Sequence, residues 1–136
     1  MKTNIKNLAA FLATSIWADG EYDEAEKIVL SEIADALEVN EAELVAETEA
    51  ALAEVEKMDD EAVNAYLLEN GAEVDEDEAA AVYLAAMQIV TVDGVLGAEE
   101  VDNLLSIANA LGLDDAEAVM LLLELVKEDP ELELVF

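Results

Sequence analysis

Trp17-Ala18-Asp19-Gly20-Glu21-Tyr22-Asp23-Glu24-Ala25-Glu26 returns 74 residues later as Thr91-Val92-Asp93-Gly94-Val95-Leu96-Gly97-Ala98-Glu99-Glu100. In each copy an uncharged run stops at Asp-Gly, and an amphipathic segment opens a few residues on. Glycine after an apolar periodic run is a helix stop, because it accepts the left-handed backbone that ends a helix at little steric cost. The offset holds further along the chain. Leu30 falls on Leu104, Ile33-Ala34 on Ile107-Ala108, Ala36-Leu37 on Ala110-Leu111, and Ala42-Glu43 on Ala116-Glu117. Self-similarity at one fixed offset marks an internal duplication, here of a helix, Asp-Gly turn, helix, turn, helix unit.

Outward from these turns, apolar residues recur at three- and four-residue steps, and the single Pro lies at Pro130, so the chain reads as all-α. A first helix spans Asn4 to Ala18. Asp23-x-x-Glu26 is a capping box opening a second helix to Glu38, with an inner stripe of Ala25, Ile28, Val29, Ile33, Ala36 and Leu37. Asn40-x-x-Glu43 opens a third, with Leu44, Val45, Thr48, Leu52 and Val55 on one side. The fourth runs from Asp60 to Asn70, with Gly71 placed as its left-handed C-terminal residue. Asp75-x-x-Glu78 opens the fifth, which carries Val82, Met87, Ile89 and Val90 and ends at Val92. The sixth runs from Ala98 to Leu111 and closes at Gly112. Asp114-x-x-Glu117 begins the seventh, whose Val119-Met120-Leu121-Leu122-Leu123 run is apolar on most sides and is expected at the centre of the fold. The expected architecture is one compact seven-helix domain over residues 1–136. Two pseudo-symmetric repeats, about 5–57 and 75–128, flank a connector helix at about 60–71. Trp17 is expected as a core anchor, and the terminal Leu132, Leu134, Val135 and Phe136 either pack back on the core or form an interaction tail.

Composition narrows the function. Hydrophobic residues are 55% of the 136, too many for a disordered chain, yet 35 acids face five Lys, for a net charge of −30. Nucleic acid and anionic membranes are repelled by such a surface. There is no Cys, His or Arg. Thiolate and serine-triad chemistry, zinc hydrolysis and bidentate phosphate clamping are therefore ruled out, and the chain is expected not to be an enzyme. The apolar stretch near the start lacks a cleavage signature. The longest uncharged run, Ala79 to Val92, has 14 residues, where a spanning helix needs about 20. A cytoplasmic protein without membrane insertion is the expectation.

Each repeat carries Asp-Gly-x5-Glu, as Asp19-Gly20 with Glu26 and as Asp93-Gly94 with Glu100. That spacing matches the second half of a calcium loop, where a glycine turn brings acids from two helix ends around a hard cation. The first half is missing: Ser15 and Trp17 in one copy, Ile89 and Thr91 in the other, occupy the ligand positions, so an EF-hand is not expected. Two readings of Asp19, Glu26, Asp93 and Glu100 stand. They are helix caps, or they converge as oxygen ligands for Ca²⁺, Mg²⁺ or Mn²⁺, the ions left when nitrogen and sulfur ligands are unavailable.

The run Ala18-Asp19-Gly20, Glu26, Leu30, Ile33-Ala34, Leu37 and Glu43 resembles the TerB-like family of tellurite-resistance proteins and the related N-terminal domain of the DjlA co-chaperone. Val92-Asp93-Gly94, Glu100, Leu104, Ile107-Ala108, Leu111-Gly112-Leu113 and Asp114 resemble the family's second half, so the likeness covers about Leu8 to Lys127. It implies a seven-helix fold and a divalent-metal site on Asp19, Glu26, Asp93 and Glu100. It also implies a bacterial stress-response setting and no established catalytic reaction. The function expected is a non-enzymatic acidic domain that binds a divalent cation weakly and serves as scaffold or sensor, with no organic cofactor. The alternative is a metal-independent module that binds a basic protein partner through its acidic faces. A third reading is a polyanion mimic that competes with nucleic acid for such a partner.

Overall fold

The computed structural model describes residues 2–20, 22–92, 94–128 and 133–135, the side chains of Asp19 and of 133–135 lying outside that description. Its helices are α1 (Ile5–Asp19), α2 (Glu24–Ala36), α3 (Glu41–Val55), α4 (Asp60–Gly71), α5 (Ala79–Val90), α6 (Ala98–Ala110) and α7 (Asp115–Glu128). The all-α class and the seven helices match the sequence reading. Two three-residue strands are added: β1 (Val95–Gly97) pairs in parallel with β2 (Glu133–Val135), Leu96 opposite Leu134. Part of the C-terminal run thus packs back on the body. Leu132 and Phe136 lie outside the described residues. No helix among the described residues is long and apolar enough to cross a membrane.

Side-chain caps fix most helix starts. Asn4 accepts from the Lys6 amide at 2.9 Å, Asn40 from Glu43 at 2.9 Å, Asp59 from Ala62 at 2.8 Å and Asp114 from Ala116 at 3.1 Å. Each satisfies a backbone donor that the first helical turn leaves without an internal partner. The fifth helix departs from expectation. Asp75 caps a separate 3-10 turn, Glu76–Glu78, through the Asp77 amide, and Glu78 closes no capping box. Its carboxylate instead accepts from the Thr3 amide and hydroxyl, both at 2.7 Å, and from the Lys2 amide at 3.0 Å. Burial alone would push the Glu78 carboxyl up, but these donors outweigh it and hold it below its usual value. A cap acid at the right spacing was captured by a segment 75 residues away.

The centre of the fold is α1 packed against α5, not α7. From Leu8 to Ile16 every side chain of α1 is buried, including Thr14 and Ser15, whose hydroxyls return to the Ala10 and Phe11 carbonyls at 2.8 Å. On α5, Val82, Met87, Ile89 and Val90 are buried as expected. α7 lies at the periphery, with Met120 62% and Leu123 60% exposed. The uncharged stretch 8–16 of α1 and the uncharged α5 can be enclosed on all sides. Glu117 and Glu124 hold α7 at the surface instead. In α2 the expected stripe is turned by about one residue. The Asp23 cap sets a phase that buries Glu26, Val29, Leu30, Ile33 and Ala34 and leaves Ala25, Ile28 and Ala36 outside. The stripe of α3 is as read, with Val45 half-buried and the others buried.

Local geometry recurs at the 74-residue offset. Gly20 and Gly94 are left-handed at φ 84° and 79°, as are Glu38 and Gly112 at 56° and 79°. The Val39 amide donates to Ala34 at 3.0 Å, and Leu113 to Ala108 at 2.9 Å. Packing is reciprocal in part, since α1 touches α6 and α5 touches α2. It differs elsewhere: α1 lies along α3, whereas α5 reaches α7 through the buried Tyr83 hydroxyl, which donates to the Ala118 carbonyl at 3.0 Å.

Gly71 has a different role from the one its position suggested. It ends α4 without a left-handed backbone, and Ala72 follows in helical conformation. A Cβ there would collide with the Ala110 carbonyl oxygen and come within 2.7 Å of its carbon. The missing side chain lets α4 lie against α6 at their C-terminal ends.

Candidate functional site

Glu26 and Glu100, the acids that follow the two Asp-Gly pairs, lie in the first turns of α2 and α6. Glu26 is 2% exposed, and its Oε2 accepts from the Asp23 amide at 3.2 Å while the Asp23 side chain accepts from the Glu26 amide, which completes the capping box, and from the Ala25 amide at 3.0 Å. In the second copy the Glu100 Oε1 accepts from the Gly97 amide at 3.4 Å. Gly97 has no side chain to answer with, so only half of the box forms. The capping reading of Glu26 and Glu100 is therefore realised. Asp93 lies outside the described residues, as does the side chain of Asp19. Among the described residues, no group of three or more acids is placed to hold a metal ion.

The first turn gathers further charge. The Asp23 carboxyl hydrogen-bonds to that of Glu26, and this contact, against the effect of burial and with help from the Ala25 and Glu26 amides, holds it below the usual carboxylate value. Tyr22 sits beside them, its hydroxyl pushed up by burial and by the charges of Glu49 and Glu24. Lys27 stands 5.6 Å from the centre of the Tyr22 ring and pairs loosely with Glu24 at 3.9 Å, the one ion pair among the described residues. With so few bases, acid repulsion is relieved mostly by solvent and ions.

A second feature is a groove of about 570 Å³ at the end of α1. α4 and α6 run side by side, touching where Gly71 meets Ala110, and the groove lies between their N-terminal halves. Asp60 stands on one wall, Glu99, Asp102 and Asn103 on the other, with Trp17 and the buried Leu67 completing it. Trp17, expected as a core anchor, is only half-buried: it packs against the core and borders the groove as well. α1 has no basic residue in its last turn, so its C-terminal partial negative charge adds to that of the three carboxylates. The Asn103 Nδ2 is shut from solvent and finds no acceptor. Sequence reasoning missed this groove. Its signals were the lone Trp beside a turn and acids in the first turns of two helices that are far apart in sequence.

No curated protein and no solved structure matches the chain. The family described as Tellurite resistance protein TerB matches residues 8–123, which takes in both Asp-Gly turns, all of α2 to α6 and most of α1 and α7. The seven-helix core built on paired Asp-Gly turns accords with that match, and the chain belongs to the TerB family.

Proposed function

We propose that this protein is a non-catalytic acidic domain that binds a hard divalent cation weakly at its paired turns and acts as a scaffold or sensor in a bacterial stress-response assembly. The observation that carries this reading is the recurrence, in a TerB-family chain, of a left-handed glycine followed by a capping acid, Gly20 with Glu26 and Gly94 with Glu100. The donor set fits: Asp19, Glu26, Asp93 and Glu100 offer only carboxylate oxygens, which suit Ca²⁺, Mg²⁺ or Mn²⁺ and no softer ion. A cation bound among clustered carboxylates would relieve their mutual repulsion. The test is thermal melting at constant ionic strength. Millimolar Ca²⁺, Mg²⁺ or Mn²⁺ is expected to raise the midpoint above that in NaCl, and Asp19→Asn with Asp93→Asn to abolish the rise. Identical midpoints with and without the cation refute the reading.

A second reading, binding of a basic protein partner without metal, is favoured by the groove, where three carboxylates and an aromatic ring line one cavity. It predicts association that survives chelation and weakens with salt, as charge-steered encounters do. Binding of basic peptides that vanishes with chelator refutes it.

A further inference from the structure

We infer that the groove bordered by Trp17, Asp60, Glu99 and Asp102 is a docking site for an arginine side chain carried on a basic segment of a partner protein. The inference rests on the second reading above and names its site.

Three observations converge on that occupant. First, the groove's volume, about 570 Å³, falls within the range of ligand-binding clefts and is ample for one long side chain with its backbone. Second, its charge has one sign. Asp60, Glu99 and Asp102 line it, and no Lys does. The two helix N-termini nearby each carry acids in their first turn, Asp60 and Glu61 on α4 and Glu99 and Glu100 on α6, which offset their partial positive charge. Third, the only Trp in the chain borders it. A guanidinium is planar, weakly hydrated and favoured over an indole face, whereas a lysine ammonium is a compact, strongly hydrated charge. An aromatic ring beside carboxylates therefore selects arginine over lysine, since the same group can stack and donate two parallel hydrogen bonds. Val63 and Leu67 line the groove as well, so the arginine stem would lie beside apolar side chains.

Because Trp17 is the sole Trp, its emission reports on this groove directly. The experiment titrates the full chain, at physiological ionic strength with chelator present, with a short Gly/Ser peptide carrying three arginines and with its lysine counterpart. Binding is read both by Trp17 emission and by anisotropy of a labelled peptide. The arginine peptide is expected to saturate both signals and to bind several-fold tighter than the lysine peptide. Glu99→Gln with Asp102→Asn should weaken it about tenfold, from two partly desolvated charge contacts. Glu32→Gln with Asp35→Asn, which removes the same charge from equally exposed positions on α2 outside the groove, should change it less than about twofold. Equal weakening in the two double variants would mean that net charge alone is read, and would overturn the site. Anisotropy that saturates while Trp17 emission stays unchanged, or lysine binding as tight as arginine, overturns it too. If neither peptide binds, the basic-partner reading falls with it.

Discussion

Gly71→Ala sets two effects of opposite sign against each other. Within a helix the change alone is stabilising by about 1 kcal/mol, because alanine loses less backbone freedom on folding and has the higher propensity. The structure opposes this. The new methyl would collide with the main-chain carbonyl oxygen of Ala110 and lie 2.7 Å from its carbon, and neither atom can move without shifting α6 as a unit. Overpacking against a yielding side chain costs about 1–3 kcal/mol, and a main-chain obstacle belongs at the upper end. The net is a loss of about 2 kcal/mol, or about 8 °C in midpoint for a chain of this length. The assay is a thermal melt by far-ultraviolet circular dichroism at fixed salt, since the net charge of −30 makes stability sensitive to ionic strength. Ala110→Gly should not rescue the variant. The obstacle is main chain, and the Ala110 Cβ is the most distant of the three contacts at 3.3 Å. A midpoint equal to or above that of the parent would show that propensity wins, and that α4 and α6 do not approach as closely as described.

Three further outcomes follow from single residues. Glu38→Gly should stabilise by about 1 kcal/mol, because Glu38 holds a left-handed backbone that its counterpart Gly112 adopts freely; an unchanged melting midpoint would count against that strain. Glu78→Gln should destabilise by about 1 kcal/mol at pH 7, where the carboxylate accepts three hydrogen bonds from Lys2 and Thr3. Since folding lowers the Glu78 carboxyl from its ordinary 4.5, the parent's advantage is full above that pH and is lost as pH falls below it, so the two melting curves should converge in acid. Tyr83→Phe should cost about 1 kcal/mol by removing the donor to the Ala118 carbonyl, read as faster amide exchange in α7 than in α1.

The candidate site was legible only where its acids act locally. Asp23 and Glu26 form the capping box that their spacing announced, and Glu100 occupies the equivalent place. The same spacing at Asp75 and Glu78 misled, because Thr3 and Lys2 offered Glu78 stronger partners than its own helix start. The apolar run of α7 misled in a related way. Five adjacent apolar residues describe a helix's composition, while its depth depends on whether neighbours surround it, and α1 and α5 took the centre. The groove was invisible because it joins α1, α4 and α6, whose contributions carry no shared motif.

What the sequence determined by itself are the interactions spanning a few residues: seven helices, the glycine stops, the acid caps, and the charge balance that removes whole classes of chemistry. The tertiary structure alone decided which helices are enclosed, why Gly71 bears no side chain, where Glu78 turns, and that Trp17 meets three carboxylates across a cavity. The reason is physical. Caps and periodicity act over one or two turns, which a linear reading resolves. Enclosure, close approach and cavity lining depend on how distant surfaces fit, and many packings share the same local pattern.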